Sequence, residues 1–173
     1  MSIRDMIAGG GGILLILLTL VQIAPIKLDA LRRIGRQAAE KLQSDAPGLT
    51  GTEVVAQQDY LPKFDHTRQY KNFKAGYVCR SSAGRAVKLI QPYDSMTYTQ
   101  EPEELPAQWG FYWSTDPKKA LPFISLATSP YNTGDCCTYE GHVWRSGQDV
   151  NVWAPGSVGV KWDDLGTIEE VQG

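Results

Sequence analysis

The stretch Tyr131–Trp144, YNTGDCCTYEGHVW, decides how the rest of the chain is read. Tyr131 opens it, Gly134-Asp135 permit a tight approach of backbones, and Glu140-Gly141 make a turn. Val143 and Trp144 then return as a strand. Turn residues at short intervals between β-prone runs are the pattern of a small β-unit with a Gly-centred hairpin. Downstream, Pro155 sits in a loop and Trp162 closes the unit. Upstream the same layout occurs once more. Tyr70 precedes Gly76, a turn falls at Ser81–Gly84, and Val87, Leu89 and Ile90 form the returning strand. Pro102 and Pro106 then lead to Trp109. A layout that occurs twice is an internal repeat, and a unit this small has little core. Large aromatics must therefore supply much of its burial, which makes Tyr70, Trp109, Tyr131 and Trp162 the expected structural core.

Working outward, the averages divide the chain. Of 173 residues, 42% are hydrophobic, so the chain is not disordered as a whole. It is too short for a (β/α)₈ barrel, which takes about 250 residues. All 5 Trp, 8 Tyr and 4 Phe lie between Tyr60 and Trp162. Residues 1–43 carry six basic and three acidic side chains, net +3. The remainder is net −5, which together make the formal −2. A near-neutral chain argues against nucleic acid as a partner. Three cysteines, an odd count, do not make a closed disulfide framework.

The second copy, with Tyr131, Gly134-Asp135, Tyr139, Gly141, Trp144, Pro155 and Trp162, resembles the small chitin-binding type of carbohydrate-binding module. The doubled arrangement is similar to proteins of bacteriophages from Gram-positive hosts, near tail and lysis functions. The resemblance implies a non-catalytic binding or structural protein that recognises a cell-wall or surface glycan or other virion proteins. Members of that family present aromatics just after the returning strand. Here that place holds Gln148 and Asp149. A flat aromatic face beside polar groups suits the C–H face of a sugar. Trp153, between Val152 and Ala154-Pro155-Gly156, is the first candidate for such contact. Tyr93, Tyr98, Trp144 and Tyr139 follow.

Towards the N-terminus, Met6–Ile26 is a run of 21 uncharged residues, expected as a transmembrane-type helix within residues 1–26. At about 1.5 Å per residue it would reach about 31 Å. Gly9–Gly12 would offer a helix-association face. It also resembles the membrane segment of small phage lysis-region proteins, which keeps a holin-like lysis protein as the alternative. A cleaved signal peptide and a helix buried in an assembly are the rival readings, the first implying secretion. Lys27, Arg32, Arg33, Arg36 and Lys41 follow the run, which by the positive-inside rule keeps the remainder cytoplasmic. Residues 27–43 read as a basic amphipathic helix, with Leu28, Leu31, Ile34, Ala38 and Leu42 at helical spacing. Such a helix suits an anionic membrane surface or is simply solvated. Residues 44–60 read as a linker.

No catalytic constellation is expected. Adjacent Cys136 and Cys137 point to opposite faces of a strand and cannot share a metal. One is expected buried and the other exposed or at an interface. Glu101, Glu103 and Glu104, around Pro102, read as a solvated surface run. The expected fold is thus an N-terminal transmembrane-type α-helix plus an amphipathic helix, followed by two small all-β modules of antiparallel hairpins in tandem, 61–115 and 116–173. The expected partners are a glycan or virion proteins, the membrane through residues 6–26, and further copies in a homo-oligomer. Single-pass membrane or virion association follows, and no cofactor is called for.

Overall fold

The computed structural model describes residues 27–173. Residues 27–45 form helix α1, which the 3₁₀ turn Ala46–Gly48 ends. Helix α2, Gly51–Ala56, starts at a capping box. Thr50 Oγ1 accepts from the Glu53 N–H, and the Glu53 carboxylate accepts from the Thr50 N–H at 2.8 Å. Gly51 is there because of proximity. A Cβ would run into the Trp113 carbonyl oxygen.

Three strands follow: β1 (Val78–Arg80), β2 (Ala86–Leu89) and β3 (Trp109–Phe111), antiparallel in that order. The second sheet has the order β4 (Leu121–Pro122), β5 (Cys136–Tyr139), β6 (His142–Ser146), β7 (Trp162–Thr167). β4 runs parallel to β5, and the other pairs are antiparallel. The β5–β6 turn is two residues, Glu140 and Gly141, at φ 49° and 82°. Positive φ at both positions matches the type I′ hairpin, whose twist suits the strands. A register shift between His142 and Trp144 interrupts the β6–β7 ladder. Helix α3, Ile168–Gln172, is capped at Thr167 in the same way as α2 is at Thr50.

Residue alternation along each strand assigns its two faces to two different cores. In the first sheet, Val78 and Ala86 pack on Leu42, Ala46, Val54, Val55 and Leu61. Cys79, Val87, Leu89 and Trp109 pack on Tyr70 and Tyr93. In the second sheet, Cys137 joins Trp113, Leu126 and Tyr131, with Trp144 and Trp162 against them. Cys136 and Val143 join Ala120, with Leu165 and Val171 against them. The strands are short, from two residues in β4 to six in β7, so buried apolar area rather than ladder length holds the fold.

This architecture corrects the expected one. Among the described residues no helix is long and apolar enough to cross a membrane. The transmembrane reading of residues 6–26 lies outside the described residues. The modules are neither all-β nor purely antiparallel. One sheet is mixed, and helical residues supply part of a core beside each sheet. Residues 44–60 are not a linker: Ala46, Val54 and Val55 are buried. The Gly and Pro of this segment stop one helix and start another, which a reading for breakers alone takes as loop. Residues Lys41–Gly173 form one unit. β3 shows why the halves cannot come apart as tandem modules. Its chain carries Trp109 into one aromatic core and, four residues on, Trp113 into the next, and Phe111 packs against both.

Candidate functional site

The two aromatic cores are built alike. In the first, the Phe64 N–H donates to the Arg80 carbonyl at 2.7 Å; in the second, the Phe123 N–H donates to the Thr138 carbonyl at 2.8 Å. Phe64 stacks on Tyr70 at 5.4 Å and 11°, and Phe123 on Tyr131 at 5.5 Å and 18°. The Tyr70 hydroxyl accepts from the Asp65 N–H, and the Tyr131 hydroxyl from the Ile124 N–H. Trp109 meets Phe64 and Tyr70 edge-on, at 84° and 88°. Trp162 meets Phe123 at 86° and Tyr131 at 68°. Gly76 and Gly134, at φ 95° and 96°, donate their N–H to Leu89 and Ser146, both at 2.8 Å. Edge-to-face and offset stacking satisfy the ring quadrupoles, and burial raises both tyrosine pKa values, so the phenols stay neutral.

The halves differ in how they satisfy the indole N–H of the closing tryptophan. Each closing Trp is reached by a long return loop. In the first half the Tyr93 side chain folds inward, and its hydroxyl accepts from Trp109 Nε1 at 3.1 Å. Tyr93 is only 8% exposed. In the second half the Trp153 backbone carbonyl accepts from Trp162 Nε1 at 3.0 Å. The Trp153 side chain is therefore not needed for that hydrogen bond and stands 62% exposed.

The loop under Trp153 is braced. Asn151, fully buried, exchanges backbone hydrogen bonds with Tyr131 at 2.8 and 2.9 Å. Its amide donates to Ser146 Oγ, and its Oδ1 accepts from the Trp153 N–H. Ser125 Oγ donates to the Val152 carbonyl at 2.7 Å. Beside Trp153 the loop also exposes Val150 and Val158. Val150 sits at φ 53°, the left-handed region that a β-branched residue rarely enters. Strain of this kind persists only where neighbours over-determine the backbone. Here the Val150 N–H is held by Asn132 Oδ1, and Asp149 caps the Thr133 N–H at 2.8 Å. The hydrogen bonds from Thr133 hold the Asp149 carboxyl below its ordinary range. Gln148 Oε1 accepts from the Lys161 N–H. Where the family resemblance implied surface aromatics, Gln148 and Asp149 thus buttress the loop that carries Trp153.

The other candidates are placed as follows. Tyr98 is exposed, next to exposed Met96 in the first half's return loop. Trp144 is half-buried, with Nε1 donating to the Tyr139 carbonyl at 3.1 Å. Tyr139 is half-buried and edge-on to Phe123. Tyr93 is in the core. Of the four core candidates, Tyr70, Trp109 and Tyr131 are buried, and Trp162 is half-buried.

Two further expectations are corrected. Cys136 and Cys137 are both buried, because both faces of β5 are covered. Burial pushes the Cys137 and Cys79 thiols up to about 12, and all three cysteines are free. The acidic run is not merely solvated. Glu103 lies 3.6 Å from buried Arg85 and accepts from Ser81 Oγ at 2.6 Å, while Glu101 accepts from Ser82 Oγ at 2.7 Å. The carboxylates staple the β1–β2 loop. Val150, Val158 and Met96 were missed, since a lone aliphatic residue in a loop carries no periodicity. The single signal was composition: Val150-Asn-Val152-Trp153 is an apolar cluster in a Gly/Pro-rich loop.

Among the described residues no three His, Cys, Asp or Glu side chains gather where they could hold a metal ion. Compared with known proteins, the chain matches no family model, no curated protein and no solved structure.

Proposed function

We propose that the protein is a non-catalytic glycan-binding protein that uses Trp153 as a stacking platform for a cell-wall or surface saccharide. One observation carries the reading. The second half completes its core with the backbone of Trp153, leaving a large indole exposed on a braced loop. An indole held this way loses little conformational entropy on binding. Its flat apolar face suits sugar C–H groups. Such a ligand is met by an exported or virion-associated protein.

A protein partner within an assembly is the second reading, favoured by the exposed Val150 and Val158. The two are separated by titrating the full chain with chitin and with purified Gram-positive cell walls. Saturable binding that falls at least about tenfold in Trp153→Ala, and survives in Tyr98→Ala, supports the stacking platform. A folded chain that binds neither material, or a Trp153→Ala variant that binds equally well, overturns it.

A further inference from the structure

Helix α1 exposes an apolar stripe over residues 27–40. Leu31 is 65% and Ile34 60% exposed, and Leu28 lies exposed on the same stripe. The spacing 28, 31, 34, 38 puts these residues on one helix face. Farther along the stripe, Leu42 is buried in the core around Val54 and Val78. Over residues 28–34 the stripe is exposed.

The charges beside it are one-sided. Residues 27–41 carry Lys27, Arg32, Arg33, Arg36 and Lys41 against Asp29 and Glu40. At about 100° per residue, Lys27 falls within the arc of the stripe, Arg32 and Lys41 border it on opposite sides, and Arg33 and Arg36 lie farther round the helix. Asp29 and Glu40 fall on the far face. Asp29 pairs with Arg32 at 3.5 Å, both exposed, and Lys41 pairs with Asp45 at 2.5 Å. Lys27, Arg33 and Arg36 make no ion pair in the described chain. Long basic side chains bordering an apolar stripe can lay their stems along it and reach phosphate groups. Asp29 and Asp45 each hold one of the bordering bases, yet basic side chains outnumber acidic ones five to two over residues 27–41.

We propose that residues 27–40 lie in the interface of an anionic lipid bilayer, with Leu28, Leu31 and Ile34 inserted and the flanking basic side chains against lipid phosphates. Charge complementarity commits the stripe to this occupant. A second copy of the helix would bring the same excess of positive charge against itself, which like-charge repulsion disfavours. The sequence adds direction: the helix follows directly on 21 uncharged residues that end at Ile26. Each basic side chain near an anionic surface adds attraction, and each inserted aliphatic adds apolar burial.

The test uses the full chain with phosphatidylcholine vesicles, with and without phosphatidylglycerol. Sedimentation measures binding, and hydrogen exchange reports on the amides of residues 27–40. The expected result is binding that needs phosphatidylglycerol, weakens with salt, and slows exchange in those amides. Leu31→Glu/Ile34→Glu should lower vesicle partition at least about tenfold. Both positions are exposed, so the tryptophan near-ultraviolet dichroism of the variant should match the parent and separate lost binding from lost folding. Three results would overturn the proposal: equal binding to neutral vesicles, undiminished binding by the double variant, or protection of residues 27–40 that rises with protein concentration in the absence of vesicles. The last would assign the stripe to a second copy.

Discussion

The first half of the molecule buries Tyr93 to complete its aromatic core, whereas the second half completes the same core with a carbonyl and releases Trp153. Both halves solve one problem: a closing tryptophan carries an N–H that must be paired if the ring is to be buried. A hydroxyl at the end of a side chain solves it by consuming that side chain. A backbone carbonyl solves it without consuming one. The comparison teaches that an exposed aromatic can be left over from a structural role taken by its own backbone, and such a residue is free to act in recognition.

The comparison is broken most severely at the closing tryptophans themselves. Trp109 is fully buried and Trp162 half-buried. Trp109→Ala should cost about 3–5 kcal/mol of unfolding free energy, and Trp162→Ala clearly less. Chemical denaturation of the two variants measures the difference. Equal losses would mean that Trp162 holds its core as firmly as Trp109 does despite its greater exposure.

A finer cut separates side chain from backbone. Tyr93→Phe keeps the ring but strands Trp109 Nε1, at a cost of about 1–3 kcal/mol. Trp153→Ala keeps the carbonyl that Trp162 uses, so stability should change by under about 1 kcal/mol. If Trp153→Ala destabilises as much as Tyr93→Phe, the indole is structural and its exposure is no sign of binding.

The smallest effect is one of pH. Asp135 occupies, beside Gly134, the place that Tyr77 holds beside Gly76. Burial raises its carboxyl above the ordinary value, against the opposing hydrogen bond from Asn132. A raised folded-state value means that the folded chain prefers the neutral acid. The stability it contributes is present below the unfolded-state value and is lost as pH rises through the folded one. Asp135→Asn should therefore be more stable than the parent at neutral pH, with the gap closing in acid. Tyr77→Phe should show no such acid-range dependence, and thermal melts across pH 3–7 read both.

Part of this was legible in the chain. Tyr70, Trp109, Tyr131 and Trp162 recur with glycines at matching places, and large aromatics in a chain with so little core have few other uses. Gly84 and Gly141 stand at the hairpin turns, both at φ 82°. The stacking partners Phe64 and Phe123 were not legible, because the spacing to their tyrosines differs between halves, six residues in one and eight in the other. A repeat that keeps its contacts while changing its spacing shows in space and not along the chain. The parallel β4 pairing escaped for a related reason: two residues, one of them Pro122, carry no alternation to read.

At the candidate site, Trp153 stood out because an aromatic between Val152 and Ala154-Pro155-Gly156 sits in a stretch that cannot be regular structure. Tyr93 follows as the next candidate, and nothing local marks it for the core. What separates them is which atom reaches the closing indole, a contact across 16 residues in one half and 9 in the other. Composition and short-range pattern settle where turns fall and which rings must be buried, because backbone sterics and the cost of exposed apolar area act locally. Which aromatic is consumed by the core and which is left for a ligand depends on hydrogen bonds between segments distant in sequence, and those exist only once the chain is packed.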